Sequence, residues 1–135
     1  MNMNKDYEDK LKDLLNAAKA VRENAYAPYS EFRVGAAILA EDGRIYIGCN
    51  VENGSYGLSI CAEQNALSTM IAAGGRILPL AIAIAGTPGK PCYPCGACRQ
   101  ILSEFNPSVK VVLESGEDLS VRSMEDYLPL RFVLE

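Results

Sequence analysis

A chain of 135 residues, 49% apolar and 22% charged, has the size and composition of one soluble globular domain and excludes fibrous and disordered classes. Its net charge of −4 argues against a surface built to neutralise phosphates, so a nucleic-acid substrate is not expected. With no histidine anywhere, imidazole is excluded as metal ligand, general base or triad member.

The opening "MNMNKDYEDKLKDLL" carries both signs of charge and lacks the long apolar stretch of a signal peptide. Leu11, Leu14, Leu15, Ala18 and Val21 recur at spacings of three and four, which predicts one apolar stripe of a helix packed on a sheet. "FRVGAAILA" and "RIYIGCNV" read as β-runs joined by "EDG", with Asp42-Gly43 as a hairpin signal. After the turn-rich "ENGSYG", Ala62, Ala66, Leu67, Met70 and Ile71 have helical spacing, and Gly74-Gly75 is a stop. "LPLAIAIAG" is short, continuous and apolar, as a strand buried on both faces should be. The longest apolar run, Ile77 to Gly86, is too short to span a bilayer and contains a proline, so no membrane crossing is expected. A helix over "GACRQILSEFN" ends at Pro107, "VKVVLE" is a further strand, and "SMEDYL" is a short helix with Ser123 as its N-cap. The last residues, "LPLRFVLE", are too apolar for a free tail and are expected to dock on this or another subunit. Strands linked through single helices run parallel, so the expected fold is α/β: a three-layer α-β-α domain over residues 1–135, with a mixed sheet of about five strands.

A cytoplasmic location is expected, and in that reducing compartment five cysteines read as ligands, nucleophiles or buried small residues rather than disulfides. In "PCYPCGACRQ", Cys95 and Cys98 sit one helical turn apart at a helix start, a metal-ligand spacing. Cys92 extends the run, but a bacterial-type iron-sulfur cluster would need a cysteine at 102, which is Leu. Pro94 disfavours a shared helical turn for Cys92 and Cys95, so Cys92 reads as a small, partly buried residue. Cys61 heads the other helix that follows a turn. Three thiolates at two helix N-termini would have their charge eased by the helix dipoles, and three protein ligands leave one position open, the pattern of a catalytic zinc site. A closed site would instead recruit Cys49, whose neighbours read as a core strand. Glu63, two places after Cys61, is either a proton carrier beside the metal or an acidic residue that merely favours its helix dipole.

The combination of C-A-E with P-C-x-x-C is close to the zinc deaminase signature, with cysteine replacing histidine as first ligand. More fully, "YAPYSEFRVGAA", "GCNVENGSYG", "CAE", "PCGACRQ" and "YLPLRF" resemble, nearly end to end, the small cytidine deaminases that act on free nucleosides. The resemblance implies hydrolytic deamination of cytidine and 2'-deoxycytidine, one Zn²⁺ per subunit on Cys61, Cys95 and Cys98, and Glu63 as general acid/base. It also implies Phe32 lining the pyrimidine pocket, Asn50 and Glu52 holding the ribose hydroxyls, and backbone contacts to the base at Ala62 and Cys95. Tyr56 and Phe132 match residues that reach a neighbouring subunit's site in the family's homotetramers. Asn50 and Glu52 are two apart, so an extended chain points both the same way, where a vicinal diol can be held. One departure stands out: many relatives have arginine after C-A-E, offsetting the thiolate charge, whereas this chain has Gln64, which donates hydrogen bonds without charge. Gln64, the helix N-termini and Arg99 are the expected compensation. Competing readings are a deaminase of an antibiotic nucleoside such as blasticidin S, and a non-catalytic zinc module with a closed four-cysteine site.

Overall fold

A computed structural model of the chain describes residues 3–75 and 77–134. Glu135, which ends the terminal apolar run, lies outside them. The elements in chain order are α1 (Met3–Arg22), β1 (Gly35–Ala40), β2 (Ile45–Cys49), a 3-10 turn (Tyr56–Leu58), α2 (Ala62–Gly74) and β3 (Pro79–Ala85). Then come α3 (Gly96–Phe105), β4 (Lys110–Ser115), β5 (Asp118–Ser123) and α4 (Met124–Tyr127).

The five strands form one sheet in the order β2-β1-β3-β4-β5. The β1–β2 and β4–β5 hairpins and the β1–β3 pair are antiparallel, while β3 and β4, linked through α3, run parallel. The sheet is therefore mixed, as the linkage through single helices requires. The Asp42-Gly43 turn forms as expected: Gly43 takes a φ of 84°, and its N–H donates to the Ala40 carbonyl at 3.0 Å.

Both faces of the sheet are covered, because alternate residues of a strand point opposite ways. Ala37, Ala81, Ala83, Ala85 and Val112 pack against Leu11, Leu14, Leu15 and Ala18 of α1. Ala36, Ile38, Ile82, Ile84, Val111 and Leu113 pack on the other face against Ala66, Leu67 and Met70 of α2, Leu102 of α3 and Met124 of α4. Burying an Ile or Leu in this way contributes about 1.5–3 kcal/mol, so both layers are held mainly by apolar area. The α1 face is lined by alanines, which lets that helix lie close to the sheet.

Two elements differ from the sequence expectation. Residues 32–34 precede β1 as irregular chain rather than extending it: the Phe32 carbonyl and the Val34 N–H are taken by the side chain of Asn50, while the Val34 carbonyl meets backbone, accepting from the Asn50 N–H at 3.1 Å. The strand Asp118–Ser123 has no counterpart among the segments expected from the sequence. It pairs with β4 across a two-residue connection in which Gly116 has a φ of 64°. Ser123 caps α4 as expected, accepting from the Glu125 N–H.

Candidate metal centre

The centre is assembled by two helix starts. Cys61 is the N-cap of α2 and Cys95 the N-cap of α3, both in extended conformation, and Cys98 lies in the first turn of α3. Neither N-cap side chain closes its own helix, so backbone N–H groups of the first turns are available to negative charge on the sulfurs. The three sulfurs lie within 4.8 Å of one another, and the Cys95 and Cys98 sulfurs are 3.5 Å apart. Zn–S bonds of about 2.3 Å at a tetrahedral centre place sulfurs about 3.8 Å apart, so the trio has the spacing and donor chemistry of a zinc site.

Its protonation chemistry points the same way. Burial pushes the thiols of Cys61 and Cys98 upward, and the neighbouring charges of Glu63 and the other sulfurs add to this. Cys95 moves down: its own burial works against that, but the N–H groups of Cys98 and Ala97 and the thiols of Cys98 and Cys61 favour its thiolate. Three sulfurs that resist ionising together become stable thiolates when a divalent cation neutralises them. Cys49 and Cys92 lie outside the group. Cys49 ends β2, where its carbonyl accepts from the Asn65 side chain at 2.8 Å. Cys92 is half-buried, its thiol pushed up to about 11 by burial, with the Glu63 charge adding.

Glu63, in the first turn of α2, is 6% exposed. Burial raises its pKa, while its own N–H and the Cys98 thiol pull the other way. A buried carboxyl with raised proton affinity beside a metal-ligand cluster is suited to carrying protons near neutral pH. Gln64 turns its amide toward the cluster, with Nε2 3.8 Å from the Cys98 sulfur. Arg99 is directed elsewhere: Nε donates to the Pro94 carbonyl at 2.8 Å, Nη1 to the Tyr127 carbonyl at 3.1 Å, and the guanidinium stacks on the Tyr127 ring at 5.3 Å. Its contact with Pro94 braces the residue before Cys95.

A loop over residues 29–34 carries Phe32. The Phe32 ring and the Cys92 sulfur both approach Gly86 so closely that a Cβ there would lie 2.9 Å from the ring and 3.0 Å from the sulfur. Asn50 and Glu52 flank Val51, whose isolated β-bridges to Tyr26 and Ile60 hold this stretch extended. Both side chains reach the loop. Asn50 Oδ1 accepts from the Val34 N–H at 2.9 Å and Nδ2 donates to the Phe32 carbonyl at 2.8 Å. Glu52 Oε1 accepts from the N–H groups of Tyr29 (2.9 Å) and Ser30 (3.1 Å), and Oε2 from the Ser30 hydroxyl. These bonds, led by the Ser30 hydroxyl, hold the Glu52 carboxyl below its ordinary range. Ser30 was not singled out in the sequence; a hydroxyl in "PYS" carries no signal of such a connection.

Ala62 is fully buried at the start of α2. Tyr56 and Phe132 are 74% and 69% exposed, and Tyr56 makes an edge contact with the Tyr29 ring at 5.9 Å. The terminal run docks on its own α3 through the backbone of Phe132, whose carbonyl accepts from Gln100 Nε2 (3.1 Å) and whose N–H donates to Gln100 Oε1 (3.3 Å). Among the described residues no helix is long and apolar enough to cross a membrane.

Comparison with known proteins matches residues 8–114 to the cytidine and deoxycytidylate deaminase zinc-binding region. The chain is 44% identical over 124 residues to a cytidine deaminase of Sporosarcina psychrophila, covering 90% of each chain. The crystal structure of cytidine deaminase from Burkholderia pseudomallei is similar with a TM-score of 0.80 and 49% identity, over 90% of this chain and 98% of that one. That of cytidine deaminase from Mycobacterium tuberculosis has a TM-score of 0.81 at 41% identity, over 91% and 97%.

Proposed function

The chain belongs to the family of zinc-binding cytidine and deoxycytidylate deaminases, and from that premise we propose that it hydrolyses cytidine and 2'-deoxycytidine to uridine and 2'-deoxyuridine, releasing ammonia. The observation that carries this reading is the trio of sulfurs within 4.8 Å with the buried Glu63 two residues from Cys61.

Cys61, Cys95 and Cys98 would hold one zinc ion, whose Lewis acidity makes water nucleophilic near neutral pH. Glu63 takes a proton from the attacking water at a carboxylate oxygen and passes protons to the ring nitrogen and the departing amine. In sum, one water enters, the bond from C4 to the exocyclic nitrogen breaks, and C4 ends as a carbonyl. Phe32 offers its ring face to the pyrimidine, and backbone groups at Ala62 and Cys95, at the two helix starts, contact the base. Asn50 and Glu52 hold the sugar hydroxyls. Gln64 eases the charge on the Cys98 sulfur by pointing its amide at it, and Arg99 acts at one remove by bracing Pro94.

We read the assembly as a homotetramer in which Tyr56 and Phe132 complete a neighbour's site; their exposure, with that of Leu130 and Leu134, supports this. Five free thiols suit a cytoplasmic enzyme of pyrimidine salvage. The test is to incubate zinc-loaded protein separately with cytidine and 2'-deoxycytidine and follow uracil-nucleoside and ammonia formation. Conversion of both is expected; turnover of neither by folded, zinc-loaded protein contradicts the reading. Light scattering tests the assembly, which a stable, active monomer would contradict.

A further inference from the structure

The loop that carries Phe32 has an unusual backbone. Glu31 has a φ of 58°, in the left-handed region that a residue with a Cβ seldom occupies, and such a conformation persists only where its surroundings hold it. Ser30, immediately before it, is the joint. Its hydroxyl donates to Glu52 Oε2 and accepts from the Phe32 N–H at 3.0 Å, so one oxygen spans the left-handed residue and ties both of its neighbours to Glu52.

The loop nearly fills the hydrogen-bonding capacity of Glu52. An ionised carboxylate offers about four acceptor sites, and the loop occupies three on Glu52: the Tyr29 N–H, the Ser30 N–H and the Ser30 hydroxyl. Asn50 similarly has one donor and one acceptor engaged with Phe32 and Val34, leaving one of each. The two residues that the proposed function assigns to the sugar are thus also the clamps of the loop that presents Phe32 to the base. They retain just enough unused capacity for a hydroxyl or two.

Resting on that reading of the site, we propose that Ser30 is a positioning residue for the nucleoside: it couples Glu52 to Phe32, so that the sugar and pyrimidine subsites are set as one unit. Without the hydroxyl, Glu52 loses its only side-chain tie to the loop among the described residues and Phe32 loses its backbone anchor on that side, so the left-handed turn at Glu31 is held from its N-terminal side alone, by the Glu31 N–H on the Ala27 carbonyl and the Tyr29 and Ser30 N–H groups on Glu52. Binding weakens while the chemistry at Glu63 and the sulfurs, on separate elements, is spared.

Ser30→Ala, Ser30→Thr, Glu52→Ala and the Ser30→Ala/Glu52→Ala double variant test this beside wild type, all with zinc content measured. Loss of a charge-assisted hydrogen bond is expected to raise KM for cytidine about tenfold in Ser30→Ala with kcat within about threefold, and Ser30→Thr, which keeps the hydroxyl, should restore KM. In the Glu52→Ala background, Ser30→Ala should add less than about twofold, because the two act through one connection. An unchanged KM in Ser30→Ala, or effects that multiply in the double variant, would overturn the proposal. Amide exchange at Phe32 reads the clamp without turnover and should quicken about tenfold in Ser30→Ala. If wild type ignored cytidine but Phe32 exchange quickened, the clamp would stand and the nucleoside assignment would fail; unchanged exchange would sink the clamp itself.

Discussion

Replacing Gly48 by Ala should both destabilise the fold and damage the metal centre, because the site depends on how closely α2 lies on β2. A Cβ at Gly48 would stand 2.3 Å from the Ala66 nitrogen, 2.8 Å from the Ala62 carbonyl oxygen and 2.8 Å from the Asn65 carbonyl carbon. Ordinary contact begins at 3.4 Å, so α2 must retreat by about 1 Å, and its first turns carry Cys61 and Glu63. All three obstructing atoms are backbone, so no rotamer change can relieve the clash. Overpacking of a core typically costs about 1–3 kcal/mol, and a clash with helix backbone belongs at or above the upper end. A shift of about 1 Å in a catalytic group can cost about a hundredfold in rate. Chemical denaturation should show a loss of about 3 kcal/mol, with zinc affinity and turnover falling together. Gly57→Ala is the control, since a Cβ there meets nothing within 4 Å. If Gly48→Ala unfolded at the same denaturant concentration as Gly57→Ala and kept its zinc, the close approach would not matter as argued.

Two further outcomes follow from the electrostatics. Gln64→Ala removes the amide that lies 3.8 Å from the Cys98 sulfur and should weaken zinc binding and lower turnover about tenfold; a competition titration that found equal zinc affinity would remove Gln64 from the account. Glu52, held low by the Ser30 hydroxyl and the Ser30 and Tyr29 N–H groups, should titrate below its ordinary 4.5 when followed by NMR. Because its folded pKa is depressed, the stability it contributes is present above 4.5 and is lost as pH falls through the lower folded value; a midpoint at or above 4.5 would contradict the clamp.

The sequence made the α1 stripe legible because Leu11, Leu14, Leu15 and Ala18 all face one layer, and β3 because its residues are apolar on both faces. β5 was hidden for the converse reason: it lies at the sheet edge, Leu119 is only half-buried and Val121 is exposed, so its alternation is faint. Its pairing with β4 supplies what its composition does not. At the centre, the one-turn spacing of Cys95 and Cys98 is a local fact legible in the sequence, whereas Cys61, at the start of another helix, joins them only through the fold and is anticipated from its like position at a helix start and the C-A-E motif. The clamp of Ser30, Asn50 and Glu52 on residues 29–34 joins segments about 20 positions apart, and nothing local in "PYS" or "NVEN" specifies it. The direction of Arg99 is equally invisible in the sequence, because its contact with Tyr127, 28 positions away, depends on the docking of α4.

The central claim is that Glu63 carries the protons of a zinc-dependent deamination, and Glu63→Gln tests it most directly. The amide keeps the size and buried position of the side chain but cannot accept a proton. Wild type and variant, shown to hold equal zinc and to unfold alike, are compared for conversion of cytidine to uridine. The account predicts rapid turnover by wild type and a loss of at least about a hundredfold in the variant, the ordinary contribution of a general acid/base; a variant with wild-type turnover would contradict it.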